Sequence, residues 1–261
     1  MRNDSQDTTF IMAIGFAALA IIAVFSMLPS PKPVVDKKNQ SKFLVPSAGG
    51  VLQNMDKDED DNIKLKLTHK IKVSHDSYIY KFGFPDEAST FGLPVGKHVV
   101  FNATFPTKAE PNGDEVSRKY TPISEVSQRG TADFLIKIYR AGVHPKFPDG
   151  GLMTPYLESM KIGDTMLMEG PKGRLAYEGY GKFIISKKAV EGKTKIGCIA
   201  GGTGITPCYQ IIQAALKNKD STQLSLVFGN RTVEDILLKD ELLQYAEAHK
   251  NNFKLFLTVD Q

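Results

Sequence analysis

The sequence predicts an all-β barrel followed by an incomplete, doubly wound α/β lobe, with an N-terminal transmembrane helix in front of both. Three observations predict this architecture: an uncharged apolar run near the N-terminus, a region of short segments that alternate with a period of two, and a final region in which strand and helix patterns alternate. At 261 residues the chain is long enough for two ordinary domains with buried cores. The net charge of +4 is small, so the total charge does not indicate a nucleic-acid partner.

The apolar run extends from Phe10 to Leu28, after an N-terminal tail over 1–9, and has about the length that crosses the hydrocarbon core of a bilayer. A cleaved signal peptide is the alternative, but it has a shorter apolar core and a more basic start than Arg2 with Asp4 and Asp7 provide. Basic residues follow the run, so its C-terminal side is expected to face the cytosol. These residues are Lys32, Lys37 and Lys38.

A linker is predicted over 29–61, where the composition shifts to Pro, Lys, Ser and Gly and then to an acidic cluster. Segments of this kind bury little apolar surface, so the linker is expected to be a mobile tether. We interpret its acidic cluster as a solvated spacer, with a docking motif as the alternative. The cluster consists of Asp56, Asp58, Glu59, Asp60 and Asp61.

The region 62–182 is predicted to be the antiparallel β-barrel. Ile63, Leu65 and Leu67 alternate with lysines, and aromatic residues alternate with smaller ones from Tyr78 to Phe84. Turns rich in Gly, Pro and Asp recur between such segments. Alternation with a period of two and repeated turns is typical of antiparallel barrels.

The region 193–261 is predicted to be the α/β lobe, because alternating strands and helices indicate a parallel, doubly wound sheet. Thr232 and Asp235 have the spacing of a capping box, which predicts the start of the second helix. The predicted elements are the strand Ile196–Ala200, the helix Thr206–Leu216, the strand Gln223–Phe228, the helix Val233–Glu247 and the strand Phe253–Val259.

The first strand and helix of this lobe are joined by the glycine-rich turn IAGGTGITP, from Ile199 to Pro207. Glycines allow positive φ and a close approach of a ligand to the main chain, and the first N–H groups of the following helix can bind an anion. The turn is therefore a candidate nucleotide-phosphate site, with an ordinary tight turn as the alternative. The residues assigned to it are Gly201, Gly202, Thr203, Gly204, Thr206 and Pro207.

Two further motifs lie in the barrel region. The segment from Arg118 to Ser124 offers a guanidinium for a phosphate, an aromatic ring for a flat ring system, and hydroxyls for a polar edge, which suits a flavin. Taken alone, it also fits an amphipathic strand followed by a turn. The segment from Gly150 to Thr154 is a second glycine turn that leads into a predicted helix, Thr154–Met160, and could hold another phosphate.

These three motifs, in this order and spacing, resemble the NADH–cytochrome b5 reductase family of ferredoxin reductase-like flavoproteins. The resemblance extends from about Ile63 to the last residue. It implies that FAD binds to the barrel, that NADH binds to the α/β lobe, and that electrons pass from NADH through FAD to cytochrome b5 or a similar haem protein. It further implies the endoplasmic reticulum or the mitochondrial outer membrane as the location, with the catalytic domains in the cytosol.

The resemblance also implies roles for the motif residues in FAD binding. The family residue that matches Arg118 binds the diphosphate, the match of Tyr120 lies against the isoalloxazine, and the match of Thr121 lies near N5, with Ser124 in the same segment. Lys119 replaces a usual proline. The loop that also holds the diphosphate matches Gly150, Gly151, Met153 and Thr154, and Leu152 replaces a frequent lysine, which leaves backbone donors at that position.

Catalytic roles are implied for three residues: His98, Thr121 and Lys137. His98 and Thr121 match a proton path to flavin N5, and imidazole is suited to moving a proton near neutral pH. The alternative for His98 is a structural histidine. Lys137 and Tyr139 match positions that contact FAD and the incoming NADH, and the alternative for Lys137 is a solvent-facing lysine on a strand.

Asp260 lies at the predicted end of the third parallel strand. A carboxylate at this position repels a 2′-phosphate, and its match in the family accompanies a preference for NADH over NADPH. Arg231 could instead attract that phosphate. We therefore expect Asp260 to contribute to cofactor binding and the protein to prefer NADH.

The two cysteines, Cys198 and Cys208, are expected to be small core residues in a reducing compartment, and no metal site is predicted. The family sequence continues beyond the matched region, so Ile196, Cys198 and Ile199 are expected to lie on an exposed parallel edge. Two functions follow: the membrane-anchored reductase, or a truncated, membrane-tethered FAD-binding protein with little or no NADH-dependent activity.

Overall fold

The computed structural model describes residues 9–15, 18–25, 50–106, 110–111, 113–143, 148–219 and 221–260. The backbone divides into two compact units. The first, called the β unit here, comprises Pro46–Leu93 and Lys97–Gly173. The second, called the α/β unit, comprises Met1–Val45, Pro94–Gly96 and Arg174–Gln261. The predicted tail over 1–9 and the first part of the predicted linker, 29–49, lie almost entirely outside the described residues.

The β unit contains a curled antiparallel sheet of six strands. They are β3 (Asn62–Lys72), β4 (Ser77–Gly83), β5 (His98–Phe105), β6 (Asp114–Tyr120), β7 (Thr131–Lys137) and β8 (Thr165–Lys172), in the order β6-β5-β8-β3-β4-β7. The predicted alternation is confirmed in β3, where Ile63, Leu65 and Leu67 are buried while the lysines between them are exposed. The helix α2 (Met153–Ser159) lies between β7 and β8.

The segment from residue 50 onwards is packed against the β unit, which differs from the predicted mobile tether. A short helix, α1 (Val51–Asn54), follows Gly50. The N–H of Val51 donates to the carbonyl of Thr90 at 2.9 Å, and the side chains of Val51 and Leu52 are part of the core. Val51 and Leu52, which sequence analysis assigned to the linker, are therefore part of the β unit.

The acidic cluster is also partly structural. Asp58 accepts hydrogen bonds from the backbone N–H of Asp60 at 3.1 Å and of Asn62 at 2.9 Å. The bond from the Asn62 N–H is the largest cause that lowers the pKa of Asp58. This carboxylate shapes the turn that enters β3, because side chains of Asp commonly bond to backbone groups two to four residues away.

The α/β unit contains a five-stranded sheet in the order β1-β2-β12-β13-β14, in which β12, β13 and β14 are parallel. The predicted strands agree with β12 (Lys195–Gly201), β13 (Gln223–Asn230) and β14 (Phe253–Val259). The first predicted helix agrees with α3 (Ile205–Lys217), which follows a single 3-10 turn at Gly202–Gly204. A small antiparallel sheet precedes β12 in the chain and consists of β9 (Leu175–Gly179), β10 (Lys182–Ile185) and β11 (Lys188–Val190).

The N-terminal segment differs from the predicted helix over 10–28. Residues of this run form the hairpin β1 (Thr9–Gly15) and β2 (Ala18–Phe25), whereas residues 16–17 and 26–28 lie outside the described residues. Strand β2 pairs antiparallel with β12, with Ile22 opposite Cys198. The predicted exposed edge of β12 is thus covered, since its backbone groups pair with those of β2. Among the described residues, no helix combines the length and the hydropathy that a membrane span requires.

The second helix of the α/β unit begins later than predicted. The hydroxyl of Thr232 donates to Asp235 at 3.2 Å, as the capping-box spacing suggested, but no helix starts there. The helix α4 (Lys239–Ala248) begins after Leu238, which has φ +55°. The predicted start at Val233 was wrong because the Thr-Asp pair closes a turn within the connection between β13 and α4.

Candidate FAD and NADH sites

The β unit brings together most of the residues assigned to FAD. Strands β5 and β6 are antiparallel, and Val99 lies opposite Tyr120. His98 and Thr121, one position beyond this pair, are therefore adjacent at the same end of the two strands. The proton path expected for the two residues requires them to be adjacent, and the path itself stays a prediction.

Arg118 and Tyr120 differ in burial. Arg118 is exposed, and its Nη1 donates to the carbonyl of Ser117 at 2.8 Å, so the rest of its planar guanidinium is directed to solvent and suits an anion. Tyr120 is half-buried, and its ring lies 4.6 Å from that of Phe101. Burial, followed by smaller effects that include Tyr139 and Tyr80, raises the pKa of Tyr120, so its phenol remains a neutral hydrogen-bond donor.

The glycine turn at 150–154 packs directly onto the chain that follows β7. The N–H of Gly151 donates to the carbonyl of Tyr139 at 2.8 Å, and the N–H of Tyr139 donates to the hydroxyl of Thr154 at 3.1 Å. Gly150 has φ +72°, and a Cβ there would lie 2.6 Å from the carbonyl oxygen of Tyr139. Glycine is required at this position by both the backbone conformation and the close contact.

Two other assigned residues of the β unit have structural partners. The hydroxyl of Ser124 accepts the N–H of Asp133 at 3.2 Å, which ties the motif segment to β7. The side chain of Met153 lies in the core, so its main chain is the part that can contact a cofactor. The neighbouring Leu152 has an exposed side chain, in agreement with the loss of a lysine contact there.

His98 is partly buried at the start of β5. Burial, followed by the positive charges of Lys119 and Lys97, lowers the pKa of His98 to about 4. The imidazole is therefore neutral at physiological pH. Gly173 is close to it, since a Cβ on Gly173 would lie 3.1 Å from Nδ1 of His98. Lys119, which replaces a proline usual in the family, therefore helps to lower the pKa of His98, the residue expected to transfer a proton.

Lys137, at the end of β7, does not point freely into solvent. Its Nζ lies 2.8 Å from Oδ2 of Asp76, and both side chains are largely buried. Asp76 is itself held by the hydroxyl of Ser77, which donates to Oδ1 at 2.9 Å. Sequence analysis missed Asp76, although the period-two pairing of β4 with β7 places Ser77 opposite Lys137.

The glycine turn of the α/β unit has the form expected for a nucleotide site. Gly202 has φ +50°, and a Cβ built on it meets nothing within 4 Å, so its main chain can be approached closely. The hydroxyl of Thr206 donates to the carbonyl of Thr203 at 3.2 Å, which stabilises the 3-10 turn. Pro207 lies in the first turn of α3, where a missing N–H costs nothing.

The carboxyl ends of the three parallel strands lie side by side. Gly201 of β12 is opposite Gly229 of β13, and Asn230 is opposite Val259 of β14. The N–H of Asp260 donates to the carbonyl of Asn230 at 3.1 Å, and the side chain of Asp260 is exposed. Ligands of open α/β sheets bind at this edge, so Asp260 has the position expected for a residue that contacts a ribose.

Cys198 and Cys208 are both buried and reduced, as predicted. A hydrogen bond with Cys198, reinforced by burial, raises the pKa of Cys208 well above its ordinary value. Cys198 on β12 and Cys208 on α3 pack these two elements together, and the raised pKa keeps Cys208 a thiol at neutral pH.

Comparison with known proteins agrees with the division into a β unit and an α/β unit. Residues 64–177 match the oxidoreductase FAD-binding domain family, and residues 198–261 match the oxidoreductase NAD-binding domain family. The cytochrome b5 reductase domain of Ulva prolifera nitrate reductase has a similar structure, with a TM-score of 0.73 and 39% identity over 78% of this chain and 76% of that chain. The protein is therefore an FAD oxidoreductase with FAD and NADH as its cofactors.

Proteins with similar sequences identify the family to which the chain belongs. NADH-cytochrome b5 reductase 2 of Rattus norvegicus is 44% identical over 210 residues, which are 78% of this chain and 74% of that protein. The Bos taurus NADH-cytochrome b5 reductase 1 is 43% identical, with 78% of this chain and 67% of that protein covered. Nitrate reductase [NADH] of Volvox carteri is 46% identical over 76% of this chain but only 22% of its own length. The chain belongs to the NADH–cytochrome b5 reductase family.

Proposed function

We propose that this protein transfers electrons from NADH through FAD to cytochrome b5 or a similar haem protein. The observation that carries the proposal is the β-unit site, where Arg118 and Tyr120 lie at the end of strand β6, Thr121 follows it, and the turn at Gly150 packs on the chain that leaves β7. When bound, FAD accepts a hydride from NADH and releases electrons one at a time. The chain supplies binding, orientation and control of protons.

The exposed guanidinium of Arg118 is proposed to bind the FAD diphosphate, with backbone N–H groups at Gly150, Gly151 and Met153 as further donors. Tyr120 is proposed to pack against the isoalloxazine and to remain a neutral phenol there, with Ser124 and Thr154 holding the segments on either side. Lys137 and Tyr139 are proposed to face FAD and NADH. In this scheme, the ion pair with Asp76 orients Lys137 before the dinucleotide arrives.

His98 is proposed to carry a proton between flavin N5 and solvent together with Thr121. Because its pKa is about 4, the imidazole relays the proton as a neutral group, with one nitrogen accepting and the other donating. His98→Asn is expected to lower the rate of turnover with cytochrome b5 and to remove the acid limb of the pH–rate profile. An unchanged profile overturns this role.

In the α/β unit, the residues from Gly201 to Pro207 are proposed to bind the NADH diphosphate, and Asp260 to favour NADH over NADPH. A carboxylate at the end of β14 is compatible with a ribose hydroxyl but repels a 2′-phosphate. Asp260→Ser is therefore expected to narrow the ratio of the two kcat/KM values. A wild-type protein that uses NADPH more efficiently contradicts the assignment.

The experiment for the reductase uses the full chain loaded with FAD. Visible spectra report the bound flavin, anaerobic NADH reports its bleaching, and ferricyanide and cytochrome b5 report electron transfer. Arg118→Ala is expected to weaken FAD binding about ten- to a hundred-fold, since a hydrogen bond to a charged group contributes roughly 1.5–3 kcal/mol. Arg129→Ala is the matched control, because Arg129 is another exposed arginine of the same unit. The proposal is refuted if protein that has been refolded with excess FAD and then separated from free FAD shows no flavin absorbance.

A second candidate function is FAD binding with little or no NADH turnover. The reason for considering it is that the chain spans only part of its relatives: 22% of the nitrate reductase and 67–74% of the two b5 reductases. The activity of those whole proteins therefore does not transfer directly to this chain. Bound yellow flavin that NADH does not bleach favours this candidate. Bleaching and reduction of cytochrome b5 favour the reductase.

We further propose that the apolar segment Phe10–Leu28 attaches the protein to the endoplasmic reticulum or the mitochondrial outer membrane, with both units in the cytosol. Sequence supports this proposal through the length of the uncharged run and the lysines after it. A spanning helix requires the hairpin of β1 and β2 to open. Resistance to carbonate extraction, lost when residues 1–28 are deleted, is the expected result; full extraction of the intact chain contradicts it.

A further inference from the structure

Asn230 is a buried polar side chain without a structural partner. It is 8% exposed, and neither its Nδ2 nor its Oδ1 has a hydrogen-bond partner among the residues that the structure describes. Burying an amide without partners is costly, so such groups in native proteins call for an explanation. Its main chain is well held, since the carbonyl of Asn230 accepts the N–H of Asp260 at 3.1 Å.

The position of Asn230 in the sheet provides that explanation. It is the last residue of β13, at the carboxyl edge where Gly201 ends β12 and Val259 ends β14. The alternation of β13 places Asn230 on the same face as Leu226 and Phe228, which are fully buried, and opposite to Val227, which is 42% exposed. Strand β13 lies next to both α3 and the 3-10 turn, and Gly229, which precedes Asn230, is opposite Gly201 of the glycine turn, so Asn230 ends its strand at the edge where the glycine turn begins.

We propose that Asn230 is a dinucleotide-binding residue that contacts a neutral group with both donor and acceptor character, either a ribose hydroxyl or the carboxamide of the nicotinamide. The inference rests on the proposed NADH site. A carboxamide needs one acceptor for Nδ2 and one donor for Oδ1, and a hydroxyl or a second carboxamide provides both. A phosphate oxygen provides only acceptors and would place negative charge beside Oδ1, so the diphosphate is not the expected contact.

The proposal makes two predictions of opposite sign for one substitution. Asn230→Leu replaces the unpartnered amide with an apolar group of similar size, so the urea midpoint of the α/β unit is expected to rise. The same substitution removes the contact with the ligand, so the affinity for NAD+ is expected to fall at least ten-fold. A residue that only fills space would not weaken NAD+ binding while the fold becomes more stable.

Thr194 is the matched control. Its Oγ1 is also buried without a partner among the described residues, but Thr194 precedes β12 and so lies at the amino edge of the same sheet. Thr194→Val is expected to raise the urea midpoint and to leave the Kd for NAD+ unchanged. The comparison separates the cost of a buried polar group from its use in binding.

The experiment measures binding of NAD+ and of ADP-ribose to the oxidised, FAD-loaded full chain by calorimetry, with flavin absorbance and circular dichroism as checks of folding. Weaker binding of both ligands by Asn230→Leu supports contact with a hydroxyl of the ADP-ribose half; weaker binding of NAD+ alone supports contact with the nicotinamide half. If Asn230→Leu does not fold, Asn230→Asp decides, because it keeps the size, removes the donor, and is expected to weaken binding of NAD+. A Kd for NAD+ within two-fold of the parent overturns the inference and leaves the proposed function intact, whereas a parent chain that binds no NAD+ overturns both.

Discussion

Acidification is expected to destabilise the β unit through His98. The pKa of this imidazole is about 4 in the folded protein against an ordinary value of 6.5, because of burial and then the charges of Lys119 and Lys97. As the pH falls below 6.5, the unfolded chain takes up a proton that the folded chain refuses until the pH approaches 4. The stability is therefore full above about pH 6.5 and declines between these two values.

The size of the effect follows from the two pKa values. At about pH 4.5 the linkage relation gives a loss of about 2.5 kcal/mol for the shift between 6.5 and about 4. His98 is only partly buried, so solvent screening reduces the expected contribution to about 1 kcal/mol. His98→Asn removes the titration, so the loss of stability between pH 7 and about pH 4.5 is expected to be smaller by about 1 kcal/mol in the variant.

Urea unfolding followed by flavin fluorescence and circular dichroism at the two pH values measures this difference. His69→Asn, which replaces an exposed histidine of the same unit, is the control for the loss of a histidine as such. Lys119→Gln tests the electrostatic part, because removal of this charge raises the pKa of His98 and reduces the acid loss. The reasoning is refuted if His98→Asn loses as much stability on acidification as the parent.

Three further substitutions test the packing of the β unit. Leu52→Ala is expected to lower the free energy of unfolding by about 2–4 kcal/mol in urea titrations, because residue 52 is buried in the core; an unchanged midpoint contradicts this docking. Gly150→Ala is expected to weaken FAD binding, measured by flavin release, since its Cβ would press on the carbonyl of Tyr139, whereas Gly142→Ala, with φ +75° and open space, serves as the control. Tyr80→Phe is expected to raise the free energy of unfolding by about 1 kcal/mol, because the buried hydroxyl of Tyr80 has no hydrogen-bond partner among the described residues. A lower urea midpoint for this variant would show that the hydroxyl does have a partner.

Local patterns predicted the elements wherever one face of an element is buried. The alternation at Ile63, Leu65 and Leu67 matches β3, since a strand with one buried face must repeat every two residues. The glycine turn after β12 was found from sequence because glycines between a strand and a helix favour a turn whose main chain a ligand can approach, as at Gly202. The family, the enzyme class and both cofactors were likewise evident from three short motifs and are confirmed by the matched domains.

Two expectations failed because the deciding contact is distant in sequence, and a third failed because a local turn has the same spacing as a capping box. The linker prediction missed that residue 51 pairs with residue 90, and the capping-box prediction missed that Thr232 and Asp235 close a turn before α4. The helix expected over 10–28 rested on hydropathy, which does not distinguish a membrane-spanning helix from an apolar strand that pairs at the edge of a sheet.

The sequence by itself determined which chemical groups are present and which short segments turn, extend or coil, because those properties depend on neighbours within a few residues. Only the tertiary structure decided that Asp76 holds Lys137, that burial and Lys119 keep His98 neutral, and that Asn230 is buried with no partner for its amide among the described residues. The physical reason is that burial, charge pairing and hydrogen-bond satisfaction are set by strands far apart in the chain, and these quantities determine what a side chain can do.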